Sequence, residues 1–376
     1  MKRIVRITTI PASLKAFCKG LLRDLSDEYK VVAISTPGED LEDVGRSEGV
    51  WTIGVPMERH IALLKDAKSL FRMIRVFRRL KPDMIHSMTP KAGLLSMMAG
   101  WWTGVPVRIH TFTGLVWPTS TGLKRWVLKT TDRITCGCAT HVIPEGEGVK
   151  SDLISGYITK KPLRVLGYGN VRGIDLNYYD RTPSVMTAAE EIRRPGKFTF
   201  VFVGRIVRDK GINELVEAFV RLNKQYPDTR LLLVGRYEDS LDPISATAKA
   251  EIEKNDAIEA VGPQSDVRPY YAAADCFVFP SYREGFPNTV IEAGAMGLAS
   301  IVTDINGSRE IIENGENGLI IPSKDSAALY DAMERMLKDD SLRTELALRA
   351  RSLVASRFEQ GFVRQCLKDF YHEVLK

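Results

Sequence analysis

Residues 198 to 211 read FTFVFVGRIVRDKG: an apolar and β-branched run, a glycine, an arginine directly after it, and a lysine directly before a second glycine. A short run of this kind bounded by glycine reads as a strand, and a helix opens at Gly211 or Ile212. Gly204, Arg205 and Lys210 then stand at the carboxyl edge of a sheet, beside helix amino ends whose unpaired N–H groups favour anions. A diphosphate suits that edge. The plainer alternative is that both cations are solvated surface charges.

Outward from this stretch, short apolar runs alternate with helical patterns along the whole chain, the signature of βαβ units and parallel sheets. Strands are expected at 3–7, 30–35, 83–86, 106–110 and 140–143, and again at 198–203, 230–234, 275–279, 299–303 and 318–321. Residues 176–197 lack strand character and contain proline, glycine and charge, so they read as a linker. The fold class is α/β, with two doubly wound domains facing each other across a cleft and ligands at the carboxyl ends of the strands.

The 376 residues suffice for two domains of ordinary size. Five cysteines form no C-x-x-C pair and share no ligand spacing with the five histidines, which argues against zinc or a disulfide framework and for a reducing, cytoplasmic location. The amino-terminal MKRIVRITTIPASLK has arginine within its apolar run, unlike a signal peptide. The longest uncharged window, Ala92 to Val107, has 16 residues and contains Gly104 and Pro106, too short and broken to span a bilayer.

Charge is unevenly divided. Residues 1–180 carry 27 basic and 17 acidic side chains, and residues 181–376 carry 26 and 30. All five tryptophans lie in the first half, so only that half is expected to meet an anionic surface. Its clearest element is a helix over 61–81, IALLKDAKSLFRMIRVFRRLK. Lys65, Lys68, Arg72, Arg75 and Arg79 form one stripe, and Leu63, Ala67, Leu70, Ile74 and Phe77 form the opposite stripe, expected to pack inward. Seven Lys/Arg stand between 65 and 81 against one acid, Asp66. Each is worth ~1 kcal/mol near an anionic leaflet, which predicts peripheral contact with a membrane surface.

A second stretch completes the charge pattern. SYREGFPNTVIEAGAMG, residues 281–297, follows a strand, makes a loop over 281–287, and enters a helix that Asn288 or Thr289 can cap. Glu284 lies before the helix and Glu292 one turn inside it. Carboxylates there are stabilised by the helix dipole and can accept hydrogen bonds from sugar hydroxyls. Ordinary loop capping by Glu284 and an ordinary first-turn charge at Glu292 are the alternative.

Taken together, VGRIVRDKG, GPQSDVRPYYAAADCFVFPSYREGFPNTVIEAGAMG and GSREIIENGENGLIIP resemble the group 1, or family 4, retaining glycosyltransferases, whose fold is GT-B: two Rossmann-like domains facing a cleft. The resemblance spans the second domain with several motifs in order. It implies domains at 1–180 and 181–358, with a helix over about 359–376 packing back on the first. It also implies that Glu284 contacts the donor hexose and Glu292 the ribose, that Arg205 and Lys210, beside Gly204, hold the diphosphate, and that Gly285, Phe286, Pro287, Asn288 and Thr289 approach sugar and phosphates. Val261 to Gln264 would line the base, which the resemblance implies is the uracil of a UDP-sugar. Catalysis would rest on Arg205, Lys210 and Glu284.

The first domain resembles, more loosely, the bacterial subgroup that builds lipid-linked capsular and exopolysaccharides, through TTIPASLKAFCKGLL, IHSMTPKAGLL, VPVRIHTFTGLVWP and LGYGNVRGID. Acceptor-side candidates are Ser13, His86, Lys91, His110 and Thr113. The glycine pair common in the first loop of the wider family is absent here. The histidine of a T-x-H-G-like segment falls on Thr113, and His110 stands three positions early, either as a substitute or as a satisfied core residue. His86 ends another strand and is expected to face the cleft.

The resemblance implies a transferase that moves a hexose or N-acetylhexosamine from a nucleotide sugar to a lipid-diphosphate saccharide on the inner face of the cytoplasmic membrane. The nucleotide sugar is a co-substrate and no cofactor is expected. No Asp-x-Asp occurs, so no metal is expected either and cationic side chains carry the charge. An epimerase or hydrolase of the same fold is the alternative. A nicotinamide enzyme would want G-x-G-x-x-G after the first strand, where TTIPASLK stands. No nucleic-acid partner is expected, because the basic helix lacks the aromatic arrangement of a stacking platform.

Overall fold

Two sheets of six parallel strands organise the computed structural model, which describes residues 1–58, 60, 62–239 and 242–376. The chain divides into two compact units, Met1–Gly173 with Gly361–Lys376, and Ile174–Gln360.

The first unit runs β1 (Arg3–Ile7), α1 (Pro11–Cys18), α2 (Leu21–Ser26), β2 (Lys30–Ser35), α3 (Glu39–Glu48) and β3 (Trp51–Gly54). It continues with α4 (Leu63–Leu80), β4 (Met84–Ser87), α5 (Pro90–Trp102), β5 (Val107–Phe112), α6 (Gly122–Cys138), β6 (His141–Pro144) and α7 (Glu147–Ser155). Strand order is β3-β2-β1-β4-β5-β6. Alternation along the strands sends Val5, Ile7 and Ile85 into a core with α4, α5 and α6, and Ile4, Ala33 and Met84 into a core with α1, α2 and α3.

The second unit runs α8 (Pro183–Ile192), β7 (Phe198–Val203), α9 (Ile212–Gln225), β8 (Thr229–Val234), α10 (Ala246–Lys254), β9 (Ile258–Gly262) and α11 (Arg268–Ala273). Then come β10 (Cys276–Phe279), α12 (Asn288–Ala295), β11 (Ala299–Thr303), α13 (Ser308–Ile311), β12 (Gly318–Ile321), α14 (Ser326–Lys338) and α15 (Asp340–Phe358). The last helix, α16 (Gln360–Val374), belongs almost wholly to the first unit and adds Leu367, Phe370 and Tyr371 to its second core. The second sheet has the order β12-β11-β10-β7-β8-β9. Phe200, Phe202, Phe277 and Phe279 fill its centre, each worth about 1.5–3 kcal/mol of burial.

Several expectations need correction. Residues 176–197 are not a bare linker: α8 lies within them and buries Val185 and Ala189 in the core of the second unit. Strands β3 and β9 were not anticipated. Both are sheet edges, and their half-exposed residues give no continuous apolar run. The basic helix begins at Leu63, and Ile61 lies outside the described residues. Its buried side is Ser69, Met73, Ile74 and Phe77, whereas Leu63 and Ala67 are exposed. Burial begins only at Ser69, so the first turn of this helix adds no side chain to the core. Among the described residues no helix is long and apolar enough to cross a membrane.

Candidate functional site

Strand order reverses between β7 and β10, because the chain steps from β7 outward to β8 and from β10 outward the other way to β11. Such a switch point leaves a crevice beyond the carboxyl ends of the strands. The loops that leave β7 and β10 carry Arg205, Lys210 and Glu284.

Glycine lets these loops close on each other. Gly211 sits at φ +72, and a Cβ there would lie 2.0 Å from the Pro280 carbonyl oxygen. The amide of Tyr282 donates to the Asp209 carbonyl at 2.8 Å, and the Ser281 hydroxyl oxygen lies 3.2 Å from the same carbonyl. Arg283 Nε donates to Asp209 Oδ2 at 3.0 Å. The Tyr282 hydroxyl donates to both carboxylate oxygens of Glu214 on α9, at 2.6 and 2.7 Å. Burial, with Glu214 beside it, pushes the Tyr282 phenol above its ordinary range, so it stays a donor. The two loops therefore form one body.

Within that body Lys210 Nζ donates to Glu284 Oε1 in direct contact, and the Ser281 hydroxyl donates to the same oxygen at 2.7 Å. Lys210 also lies 5.1 Å over the ring of Phe279. Both side chains of the pair are largely buried. Arg205 is half-exposed and its Nη1 meets Glu238 Oε2 at 2.6 Å. Hydrogen bonding from Arg205 holds the Glu238 carboxyl below the usual carboxylate range.

Helix α12 starts at Asn288 with Pro287 in the cap position and no side-chain cap, contrary to the expectation that Asn288 or Thr289 would serve. Its first-turn amides belong to Asn288 and Thr289. Gly307, at φ +75, brings the loop after β11 against Gly285: a Cβ there would lie 2.5 Å from the Gly285 carbonyl oxygen. The Phe286 side chain faces the core, edge-on to Phe358 at 5.4 Å, so only its backbone borders the loop surface. Glu292 is 6% exposed and accepts a hydrogen bond from the Tyr271 hydroxyl at 3.3 Å. It is a deeper group than its expected ribose contact suggested. At the end of β9, Gln264 folds back to donate to the Val261 carbonyl at 2.9 Å.

The acceptor-side candidates divide differently. Ser13 on α1, Lys91 on α5 and Thr113 after β5 all follow carboxyl ends of first-sheet strands and are half-buried. Lys91 is bound to both carboxylate oxygens of Asp66, at 2.7 and 2.9 Å. His86 does not face open space: it is 2% exposed, with Nδ1 beside Arg6 at 2.7 Å and the Tyr371 hydroxyl at 2.6 Å, and Nε2 at 2.7 Å from Thr111 Oγ1. His110 is equally buried, with Nδ1 at 2.8 Å from the Ser87 hydroxyl and its ring edge-on to Phe112. Burial keeps both imidazoles neutral, lowering His86 well below its ordinary value and His110 to about 3. They are satisfied core histidines.

Glu238 was missed from the sequence. A signal for it existed, since Val234-Gly235-Arg236 repeats Val203-Gly204-Arg205 at the end of the neighbouring strand. A depression of about 820 Å³ lined by Arg194, Lys224 and Lys254 opens at the amino edge of the second sheet, away from this chemistry.

Comparison with known proteins agrees with this geometry. The family described as "Glycosyl transferases group 1" matches residues 187–353, and a "Glycosyl transferase 4-like domain" matches residues 16–169. The capsular polysaccharide biosynthesis glycosyltransferase CapM of Staphylococcus aureus is 33% identical over 86% of this chain and 85% of its own length. An Escherichia coli UDP-Gal:alpha-D-GlcNAc-diphosphoundecaprenol alpha-1,3-galactosyltransferase is 26% identical over 84% of this chain and 82% of its own. The crystal structure of Anabaena Alr3699/HepE in complex with UDP superposes with a TM-score of 0.83 at 16% identity, covering 99% of this chain and all of that one, which shows the GT-B fold. A switch-point loop pair that joins a lysine to a glutamate, in a chain matched along both units, identifies this protein as a member of the group 1 glycosyltransferases.

Proposed function

We propose that this glycosyltransferase moves a hexose or N-acetylhexosamine from a UDP-sugar to a lipid-diphosphate saccharide in bacterial surface polysaccharide synthesis, with retention at the anomeric carbon and without a metal ion. The observation that carries the reading is the Lys210–Glu284 contact at the switch point, with Arg205 on the same sheet edge. The names of the capsular and diphosphoundecaprenol relatives and the UDP in the Anabaena structure support substrate class and base.

The chemistry follows from charge. As the bond between the anomeric carbon and the diphosphate lengthens, the ring becomes positive and the leaving group negative. Lys210, Arg205 and the amino end of α12 neutralise the diphosphate in a preorganised way. Glu284, released from Lys210 by the incoming phosphate, accepts hydrogen bonds from the sugar. The departing phosphate takes the proton of the acceptor hydroxyl on the same face, which gives retention and needs no separate base.

Peripheral membrane contact belongs to this reading. On α4, Lys68, Arg72 and Arg75 stand exposed beside Leu63, Leu64 and Phe71, which are 79%, 89% and 70% exposed. On α6, Leu123 and Trp126 stand exposed beside Lys124 and Arg125. Both helices pack on α5, over one face of the first sheet.

Incubation with a panel of nucleotide sugars and short lipid-diphosphate saccharides, with and without EDTA, tests the proposal by mass spectrometry and anomeric NMR. Expected is an EDTA-insensitive α-linked product from a UDP-α-sugar. Donor turnover that ignores the acceptor would overturn it in favour of an epimerase or hydrolase.

A further inference from the structure

We propose that Glu238 is a positioning residue for Arg205, and through it for the donor diphosphate. The inference rests on the nucleotide-sugar reading of the site. Glu238 is the least exposed of a three-residue cluster: its side chain is 15% exposed, against 50% for Arg205 and 65% for Arg236. Oε2 takes Arg205 Nη1 at 2.6 Å, and Oε1 takes Arg236 Nη2 at 2.9 Å. A guanidinium carries five N–H donors in a rigid plane, so one contact fixes its orientation and leaves the others for an anion. Two arginines share one carboxylate, so the cluster keeps a net positive charge towards the diphosphate.

The backbone around Glu238 is tied to the donor loop. The Ile206 amide donates to the Arg236 carbonyl at 2.9 Å, and a Cβ on Gly235 would lie 1.8 Å from the Gly204 carbonyl oxygen. The Asp242 amide donates to the Glu238 carbonyl at 3.2 Å, and Asp242 Oδ2 accepts from the Asp209 amide at 2.7 Å. The segment that carries Glu238 therefore shares the frame of Arg205 and Lys210, and can set an arginine without ordering a new loop on binding.

UDP titration calorimetry on the full chain tests this with R205A, E238A, E238Q, the volume-keeping E238M and the double variant R205A/E238A. Expected is about a tenfold loss of UDP affinity in R205A and about three- to tenfold in E238A and E238M, with E238Q within about twofold of wild type because its amide oxygen still accepts from Nη1. The double variant should bind UDP no more weakly than R205A, a result that a general structural role for Glu238 would not give. Unchanged or tighter UDP binding in E238A and E238M, or a further loss in the R205A background, overturns the positioning role. An R205A protein that binds UDP like wild type would instead strike at the donor-site reading itself.

Discussion

Lys210 and Glu284 stand 74 positions apart in the chain and touch in the structure. The pair is largely buried, so removing either member leaves its partner without its charge complement as well as removing the proposed contact with the sugar nucleotide. Lys210→Ala and Glu284→Ala are each expected to lower turnover at least ~100-fold, as the loss of a preorganised electrostatic group does. Circular dichroism and melting temperature show whether the fold is kept, and full activity in either variant would sink the assignment. The histidines make a different prediction. His86 and His110 are neutral in the folded chain and titrate near 6.5 when unfolded, so the unfolded state gains protons first as pH falls. Their contribution is complete above pH ~6.5 and is lost on acidification, down to about 3 for His110. At pH 5 His110 costs ~2 kcal/mol relative to neutral pH, and His86 acts in the same direction. Urea unfolding of wild type and His110→Gln at pH 7.5 and 5 checks this: the variant should show a smaller drop in stability between the two.

At the scale of elements, legibility followed burial. β1, β2, β7, β11 and β12 fall at their expected residues because they are buried along almost their whole length and their runs are mostly apolar or β-branched. WTIG and IEAVG, the edge strands β3 and β9, carry exposed or half-exposed residues and no such signal. In α4 the helical period and the second half of the inward stripe, Leu70, Ile74 and Phe77, were legible, whereas Leu63 and Ala67 at its start are exposed. Leu63, Leu64 and Phe71 stand exposed among the cations. Leu64→Glu with Phe71→Glu should therefore weaken co-sedimentation with anionic vesicles severalfold more than conversion of Lys68 alone to Gln. Equal binding of the wild type to neutral and anionic vesicles would remove the electrostatic part of the reading. The loops make their own prediction. Gly211→Ala combines a positive φ with a Cβ directed at the Pro280 carbonyl, and is expected to cost about 2–4 kcal/mol. Chemical denaturation measures that cost, with donor turnover falling in parallel.

Over the whole molecule, the chain leaves the first unit at residue 173 and returns to it for its last sixteen residues. Tyr371 on α16 accepts from Arg6 Nη1 at 2.5 Å and lies 2.6 Å from His86, within the first unit. Tyr371→Phe removes both contacts and leaves a buried guanidinium short of a partner, with an expected loss of about 2–4 kcal/mol by urea unfolding. The sequence by itself determined the fold class and the family, and it singled out Arg205, Lys210, Glu284 and Glu292 as candidates for the donor site, because strand-loop-helix order and local spacing are written along the chain. Only the tertiary structure decided that Lys210 rests on Glu284, that Glu238 rests on Arg205, and that His86 and His110 are core groups. Those facts depend on which strand ends lie side by side and how deeply each side chain is covered, and neither is encoded in spacing along one segment.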